Sequence, residues 1–520
     1  MNHGDRITRR QLLAGTASGL VLMTTGCSSA PNPPTPVVTI RSGKVQGEIV
    51  DGIHRFLGIP YAAPPFGRQR FRSPVEPASW DGVRPTTAYG AICPQTGGGG
   101  LGAVPDEGED CLNLNIWTPG PDAGGLPVMV WAHGGGQTTG TGASAIYDGT
   151  HFARDGVVLV TCNRRLGAEG YLYLEELFGD GIGPGNLGIQ DLQFVLAWVQ
   201  ENIEAFGGNP GNVTLFGESG GGAAAQALVA TPGSEGLLHR AIPQSGGHAA
   251  QRTDTATRIA RRVLDELAIK PGDLDALLQV PWPDFVSCYP LLEAMEDVGQ
   301  PQVYLPVLNE HMPHHPADAA HEGKGLTLDY LLGTCRDEMN LFSTFMPEME
   351  DSIFHERAKK VIAASGSVFE DVVQSYLQSR PGLEPDDAFN AVLGDMWFRL
   401  PTLRIAEGHA ANSDRSTFMY LFDWESQMIG AAHALDLVVF GNGPPVPGIG
   451  GFADYEPVAN YMRKAWVEFA THGNPGWPTY QPGRITMHLN NSPAAIPSDY
   501  IDAHETFSRI VETNWQRAKL

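Results

Sequence analysis

Apolar residues fall along this chain in two alternating rhythms. Short unbroken runs occur at Leu126–Ala132, Val157–Thr161 and Val213–Phe216. Such runs, bounded by turn residues, predict strands buried on both faces. Between the second and third runs the spacing changes. Ile189, Leu192, Leu196, Val199, Ile203 and Phe206 recur at steps of three and four, which predicts a helix over 188–206 with one apolar stripe. Leu328–Leu332 and Thr417–Phe422 predict two further strands. Buried runs alternating with an amphipathic helix predict an α/β fold, a mostly parallel central sheet flanked by helices. Residues 251–320 and 345–415 read as mixed helical and irregular segments, expected as cap-forming insertions. No internal repeat is evident.

Length alone, 520 residues, allows several domains. The candidate chemistry runs from His133 to His433 with no linker inside it, so one catalytic unit over 38–515 is the simpler reading. The 42% of hydrophobic residues suffices for a large core, and 63 glycines and 40 prolines imply many turns and long loops. A formal net charge of −24 disfavours nucleic acid and anionic lipid headgroups as partners.

The start of the chain reads as an address. Thr8-Arg9-Arg10-Gln11-Leu12-Leu13 resembles a twin-arginine export signal, and the apolar run from Leu12 to Met23 is too short to span a bilayer. Gly26-Cys27 resembles a lipoprotein cleavage site, with Thr24 where leucine is usual. Residues 1–26 are thus expected to be an export signal and Cys27 a lipidation site. Residues 27–37, with Pro31, Pro33, Pro34 and Pro36, are expected to form a stiff tether. The expected location is the bacterial cell envelope, lipid-anchored if Cys27 is modified and otherwise secreted or periplasmic, with membrane contact only through that anchor. Export makes a disulfide permissible. Cys93 and Cys111 flank a glycine-rich stretch and are the best pair, whereas Cys162 lies in an apolar run and reads as a core residue.

Gly217-Glu218-Ser219-Gly220-Gly221 matches the G-x-S-x-G nucleophile elbow. The chain must turn sharply from strand to helix there, and side chains two residues either side of the serine would collide. His133-Gly134-Gly135-Gly136 follows another strand, and its glycines let backbone N–H groups approach a developing oxyanion, with Gly220 as a further donor. A serine needs a base and an orienting acid, which α/β-hydrolases supply later in the chain. Asp337 and Glu338 follow one strand; His433 follows another; His472 precedes Gly473 and reads as a helix end. Spacing alone does not choose among them.

Here the sequence resembles the type-B carboxylesterase and cholinesterase-like family of α/β-hydrolases. The resemblance rests on Glu109-Asp110-Cys111-Leu112-Asn113-Leu114-Asn115-Ile116-Trp117, Gly217-Glu218-Ser219-Gly220-Gly221-Gly222, Asn186-Leu187-Gly188, Phe206-Gly207-Gly208-Asn209-Pro210, Gln244-Ser245-Gly246 and Phe469-Ala470-Thr471-His472-Gly473-Asn474-Pro475. It implies a triad of Ser219, Glu338 and His433, oxyanion donors at Gly135, Gly136 and Gly220, a supporting serine at Ser245 and a Cys93–Cys111 disulfide. It implies a serine carboxylesterase acting through an acyl-enzyme, with no metal or organic cofactor. A lipase, amidase or polyester hydrolase using the same site is the nearer alternative, and a non-catalytic binding protein of this family the distant one.

Three positions depart from the family pattern. Glycine stands at 220 where alanine is usual. Gln137 replaces an aromatic residue after the glycine triplet and is expected to leave a less apolar pocket wall. The 94–110 loop carries no aromatic residue to hold a quaternary ammonium. Uncharged esters with short to medium acyl chains are therefore the expected substrates.

Overall fold

A computed structural model describes residues 35–497 apart from 98–102, 248–249, 294–301, 326, 346–354, 365, 380–381 and 444–448. The export signal, Cys27 and the first part of the tether lie outside the described residues. The central feature is an 11-stranded sheet. In chain order its strands are β1 (Glu48–Val50), β2 (Ile53–Pro60), β3 (Asn113–Thr118), β4 (Leu126–Ala132), β5 (Val158–Cys162), β6 (Gly208–Glu218), β7 (Arg240–Gln244), β8 (Asp329–Cys335), β9 (Thr417–Phe422), β10 (Ile485–Leu489) and β11 (Ala494–Pro497). Their order across the sheet is β1-β2-β3-β5-β4-β6-β7-β8-β9-β10-β11. The run from β5 through β10 is parallel throughout. Both margins are antiparallel.

The sheet is buried on both faces, and the side-chain alternation shows why. In β4, Val128, Val130 and Ala132 join one hydrophobic cluster, while Met129 and Trp131 join the other. Successive strand residues point to opposite faces, so a continuous apolar run fills two cores at once. Helix α1 (Leu187–Asn202) covers the first face with Ile189, Leu192, Leu196 and Val199, all almost fully buried. Helix α2 (Gly220–Val229) joins it through Ala224, Ala225 and Leu228. Helix α3 (Phe452–His472) covers the opposite face with Met462, Trp466 and Phe469.

The predicted elements are present, with shifted ends. The helix expected over 188–206 is α-helical to Asn202, then tightens into a 3-10 turn over Ile203–Phe206, ended by Gly207 at φ +84°. The strand expected at Leu328–Leu332 runs on to Cys335, which carries the chain three residues nearer to Glu338. The insertions are largely helical, among them Thr253–Glu266, Phe369–Ser379, Pro385–Gly394 and Leu400–Asn412.

Sheet order also fixes where a site can form. The chain passes outward from β4 to β5, then returns across β4 to β6. In parallel sheets, a crevice opens outside the carboxyl ends where the winding direction reverses. The segments that follow β4, β6, β7, β8 and β9 carry His133, Ser219, Ser245, Glu338 and His433. Five strand ends thus deliver the expected serine, acid, base, supporting serine and glycine loop to one edge of the sheet.

Candidate active site

The nucleophile elbow is formed as the sequence demands. Ser219 sits between β6 and α2 at φ +54°, ψ −121°, a backbone conformation that non-glycine residues rarely adopt. Its N–H donates to the Gln244 carbonyl at 2.9 Å, locking the turn to β7. The flanking glycines are sterically required. A Cβ on Gly221 would lie 1.9 Å from the Ala132 carbonyl oxygen, and one on Gly217 would lie 2.7 Å from the Gly221 backbone. Ser219 keeps partial exposure among buried neighbours.

Acid and base meet across the ends of β8 and β9. His433 Nδ1–H donates to Glu338 Oε2 at 2.5 Å. The other carboxylate oxygen, Oε1, accepts from Ser245 Oγ at 2.7 Å and from the Cys335 N–H at 2.8 Å. Glu338 is 1% exposed and His433 3%. Asp337 turns away. It pairs with Arg336 at 2.8 Å and accepts from the Ala431 N–H at 2.9 Å. The acid facing the imidazole is therefore Glu338. His472 is well exposed at the end of α3, far from this chemistry in role.

Two more carboxyls crowd the imidazole, and the residue pattern did not single them out for this. Glu218 Oε1 lies 3.1 Å from His433 Nε2. Asp436 is fully buried and accepts from Gln244 Nε2 and Tyr420 Oη, both at 2.9 Å. Burial raises the Glu218 carboxyl to about 8, against the attraction of His433. Burial lowers the His433 imidazole, but Glu218, Glu338 and Asp436 outweigh it and lift it to about 9. No hydrogen bond joins Nε2 and Oε1, and neither atom has another hydrogen-bond partner among the described residues. Among the described residues no hydrogen bond joins Ser219 Oγ to His433. Phe398 and Phe342 flank the imidazole with ring centroids at 4.7 and 5.3 Å. Phe398 belongs to a π-helical turn, Asp395–Arg399.

The glycine loop after β4 lies against the elbow. Gly135 and Gly136 have φ of +104° and +61°. A Cβ on Gly220 would come within 2.8 Å of the Gly136 nitrogen, so the loop packs closer than an alanine there would allow without movement. Gln137 corrects one expectation. It is fully buried, and its side chain is not a pocket wall. Its Nε2–H donates to the Gly220 carbonyl at 2.7 Å, and its Oε1 accepts from Arg164 at 2.7 Å. The amide serves the scaffold because a buried polar group must find partners.

Cys93 and Cys111 are buried neighbours with their sulfurs 2.9 Å apart, so the structure brings the expected pair together. Cys162 is a buried core thiol on β5, and burial raises it to about 12.

Comparison with known proteins settles the lineage. The Carboxylesterase family model matches residues 34–495. The chain belongs to the carboxylesterase family. It is 36% identical over 492 residues to the para-nitrobenzyl esterase of Bacillus subtilis (strain 168), spanning 89% of this chain and 96% of that protein. It is 32% identical over 486 residues to phenmedipham hydrolase of Pseudarthrobacter oxydans, spanning 86% and 93%. Among solved structures, the Geobacillus stearothermophilus carboxylesterase at pH 6.2 superposes with a TM-score of 0.81 at 34% identity, covering 90% of this chain and 99% of that one. A carboxylesterase on an α/β-hydrolase fold is a carboxylic-ester hydrolase, and the elbow, the acid–base pair and the glycine loop are parts that such chemistry requires.

Proposed function

We propose that this carboxylesterase cleaves uncharged esters through an acyl-enzyme on Ser219, with His433 as base and Glu338 as orienting acid. The observation that carries it is the 2.5 Å Glu338–His433 contact, held from behind by Ser245 and the Cys335 N–H. A carboxylate only accepts, so Nδ1 keeps its proton and Nε2 is the basic nitrogen. Nε2 takes the proton of Ser219 Oγ as that oxygen bonds to the ester carbonyl carbon. The N–H groups of Gly135, Gly136 and Gly220 receive the oxyanion. Imidazolium then protonates the departing alcohol, the C–O bond breaks, and water deacylates the serine by the same route.

Uncharged acyl and alcohol groups fit best because the 94–110 loop offers no aromatic face for a buried cation. A panel of p-nitrophenyl esters of increasing chain length, with phenmedipham and a choline ester beside its carbon isostere, tests both parts. Ser219→Ala should remove nearly all hydrolysis. Full activity in that variant refutes the nucleophile, and a large preference for the choline ester at high salt refutes the substrate class. Export and lipidation of Cys27 are proposed on the leader sequence alone; mass spectrometry of the mature N-terminus tests them, and an unmodified N-terminus elsewhere refutes them.

A further inference from the structure

Arg164 follows β5 by two residues and is fully buried. Guanidinium side chains carry a permanent positive charge. Buried charges are normally paired with an opposite charge. Among the described residues Arg164 makes no ion pair. Instead it spends its donors on neutral acceptors. NH2 donates to the His133 carbonyl at 3.0 Å. NH1 donates to Gln137 Oε1 at 2.7 Å and to Tyr171 Oη at 3.2 Å. The acceptors belong to the glycine loop and its support. His133 opens that loop and Gln137 closes it.

Gln137 extends the connection. Its backbone is left-handed at φ +64°, costly for a residue with a side chain. That conformation is retained in a fully buried amide whose two ends are both used: Oε1 on Arg164 and Nε2–H on the Gly220 carbonyl. The Gln137 carbonyl accepts from the Gly167 N–H at 2.8 Å, which anchors the loop to the segment after β5. The chain from Arg164 through Gln137 to Gly220 therefore spans both sources of oxyanion donors. Gly135 and Gly136 lie on one side of Gln137, and Gly220 lies at its amide. The Arg164 charge also acts on its surroundings. After burial itself, Arg164 is the influence that pulls the His133 imidazole down to about 3.

We propose that Arg164 and Gln137 are positioning residues for the oxyanion hole: a strut that fixes the glycine loop against the elbow, with a buried positive charge behind it. Charge develops on the ester oxygen only in the transition state, so the strut acts mainly on kcat. This inference rests on the triad reading above.

The test compares Arg164→Met, Arg164→Lys and Gln137→Met with the parent and with Ser219→Ala. Readouts are kcat and KM on p-nitrophenyl butyrate, and affinity for a trifluoromethyl ketone, which forms an anionic tetrahedral adduct with the serine. Arg164→Met should lower kcat by about 10- to 100-fold, below the about 100- to 1000-fold of deleting an oxyanion donor. KM should move less than about threefold, and the ketone should weaken by the same factor as kcat/KM. Arg164→Lys should recover most of the ketone affinity, because it restores the charge. If Arg164→Met does not fold, Gln137→Met carries the same expectation for kcat with Arg164 still bonded to His133. Folded variants with kcat within twofold of the parent overturn the inference. So does a lysine variant no better than methionine. An inactive parent, or an active Ser219→Ala, overturns the triad reading instead.

Discussion

Replacing Glu338 by glutamine tests the acid most sharply, because the structure dictates how the amide must sit. Glu338 offers two oxygens to three donors. Oε1 takes the Ser245 hydroxyl and the Cys335 N–H, and Oε2 takes His433 Nδ1–H. An amide has one oxygen. If that oxygen stays on the Cys335 side, the NH2 group faces Nδ1, which must then lose its proton to Nε2. If the amide flips, the buried Cys335 N–H faces another N–H, which costs about 1–3 kcal/mol for the orphaned donor. A preference of about 2 kcal/mol leaves the productive tautomer on the order of 3% populated, about a 30-fold loss. The carboxylate that would steady the imidazolium is also gone, worth a further ~1.5–3 kcal/mol for a charged hydrogen bond. Together these give about a 10³-fold fall in kcat for Glu338→Gln, approaching the about 10⁴-fold of the equivalent change in serine proteases. Asp337→Asn should behave differently. Its pair with Arg336 is partly exposed, worth about 1 kcal/mol or less. The amide oxygen can still accept from the Ala431 N–H, so kcat should stay within about threefold. Initial rates on p-nitrophenyl butyrate, with melting curves to confirm folding, decide between the two. An Asp337→Asn variant more damaged in kcat than Glu338→Gln would refute the assignment.

The remaining predictions concern the groups around the pair. Ser245→Ala removes one of the two donors on Glu338 Oε1 and should lower kcat about 10-fold with little change in KM; an unchanged kcat would show that the Cys335 N–H suffices. His433 must be neutral to accept the Ser219 proton, so activity rises with pH through its pKa. Glu218 is one of the charges lifting that pKa to about 9. Glu218→Gln should therefore shift the rise of kcat/KM to lower pH, and a profile that stays put or moves upward contradicts the sign. Ser219→Gly should be as inactive as Ser219→Ala yet melt higher, because glycine relieves a left-handed residue at a cost otherwise of about 1–3 kcal/mol; equal melting temperatures would mean the elbow holds little strain.

What the sequence made legible is what is local. The strand before Ser219, the glycines at 217 and 221 and the alanine run of α2 lie within a dozen residues, and the turn they form follows from sterics. The parallel sheet was readable because its strands fill both cores and therefore show as continuous apolar runs. The antiparallel margin at β1–β3 was not proposed from pattern, because its strands mix polar and apolar positions. Glu338 and His433 came through family resemblance, since 95 residues separate them and spacing does not restrict the pairing. The role of Gln137 is hidden from pattern for the same reason. Its partners are Gly220, 83 residues on, and Arg164, 27 residues on, so nothing beside it in the chain tells whether the amide faces a pocket or a strut. Glu218 lay in plain view inside the elbow motif. Its approach to His433 Nε2 becomes visible only once the end of β9 is placed.

The charges of the site make sense as an arrangement around the reacting carbonyl. On the base side, Glu218, Glu338 and Asp436 surround one imidazole, each no more than 3% exposed. On the proposed oxyanion side stand the start of α2 and, behind the glycine loop, Arg164, which makes no ion pair among the described residues. Ester attack creates positive charge on the imidazole and negative charge on the carbonyl oxygen, so each half of the site is poised for the sign that appears there. Such poise is costly at rest. Three buried carboxyls beside one another repel, and burial with that repulsion raises Glu218 to about 8 and Asp436 to about 6. Nε2 thus faces the Glu218 carboxyl at 3.1 Å, and in the proposed mechanism it exchanges that neighbour for Ser219 Oγ when substrate is bound. Rate and pH profile are coupled by this exchange. Any change that weakens the Glu218–His433 contact frees the base at lower pH, and it also removes negative charge that would have steadied the imidazolium. A gain at acid pH must then come with a lower plateau, which distinguishes an electrostatic role for Glu218 from simple obstruction of the base.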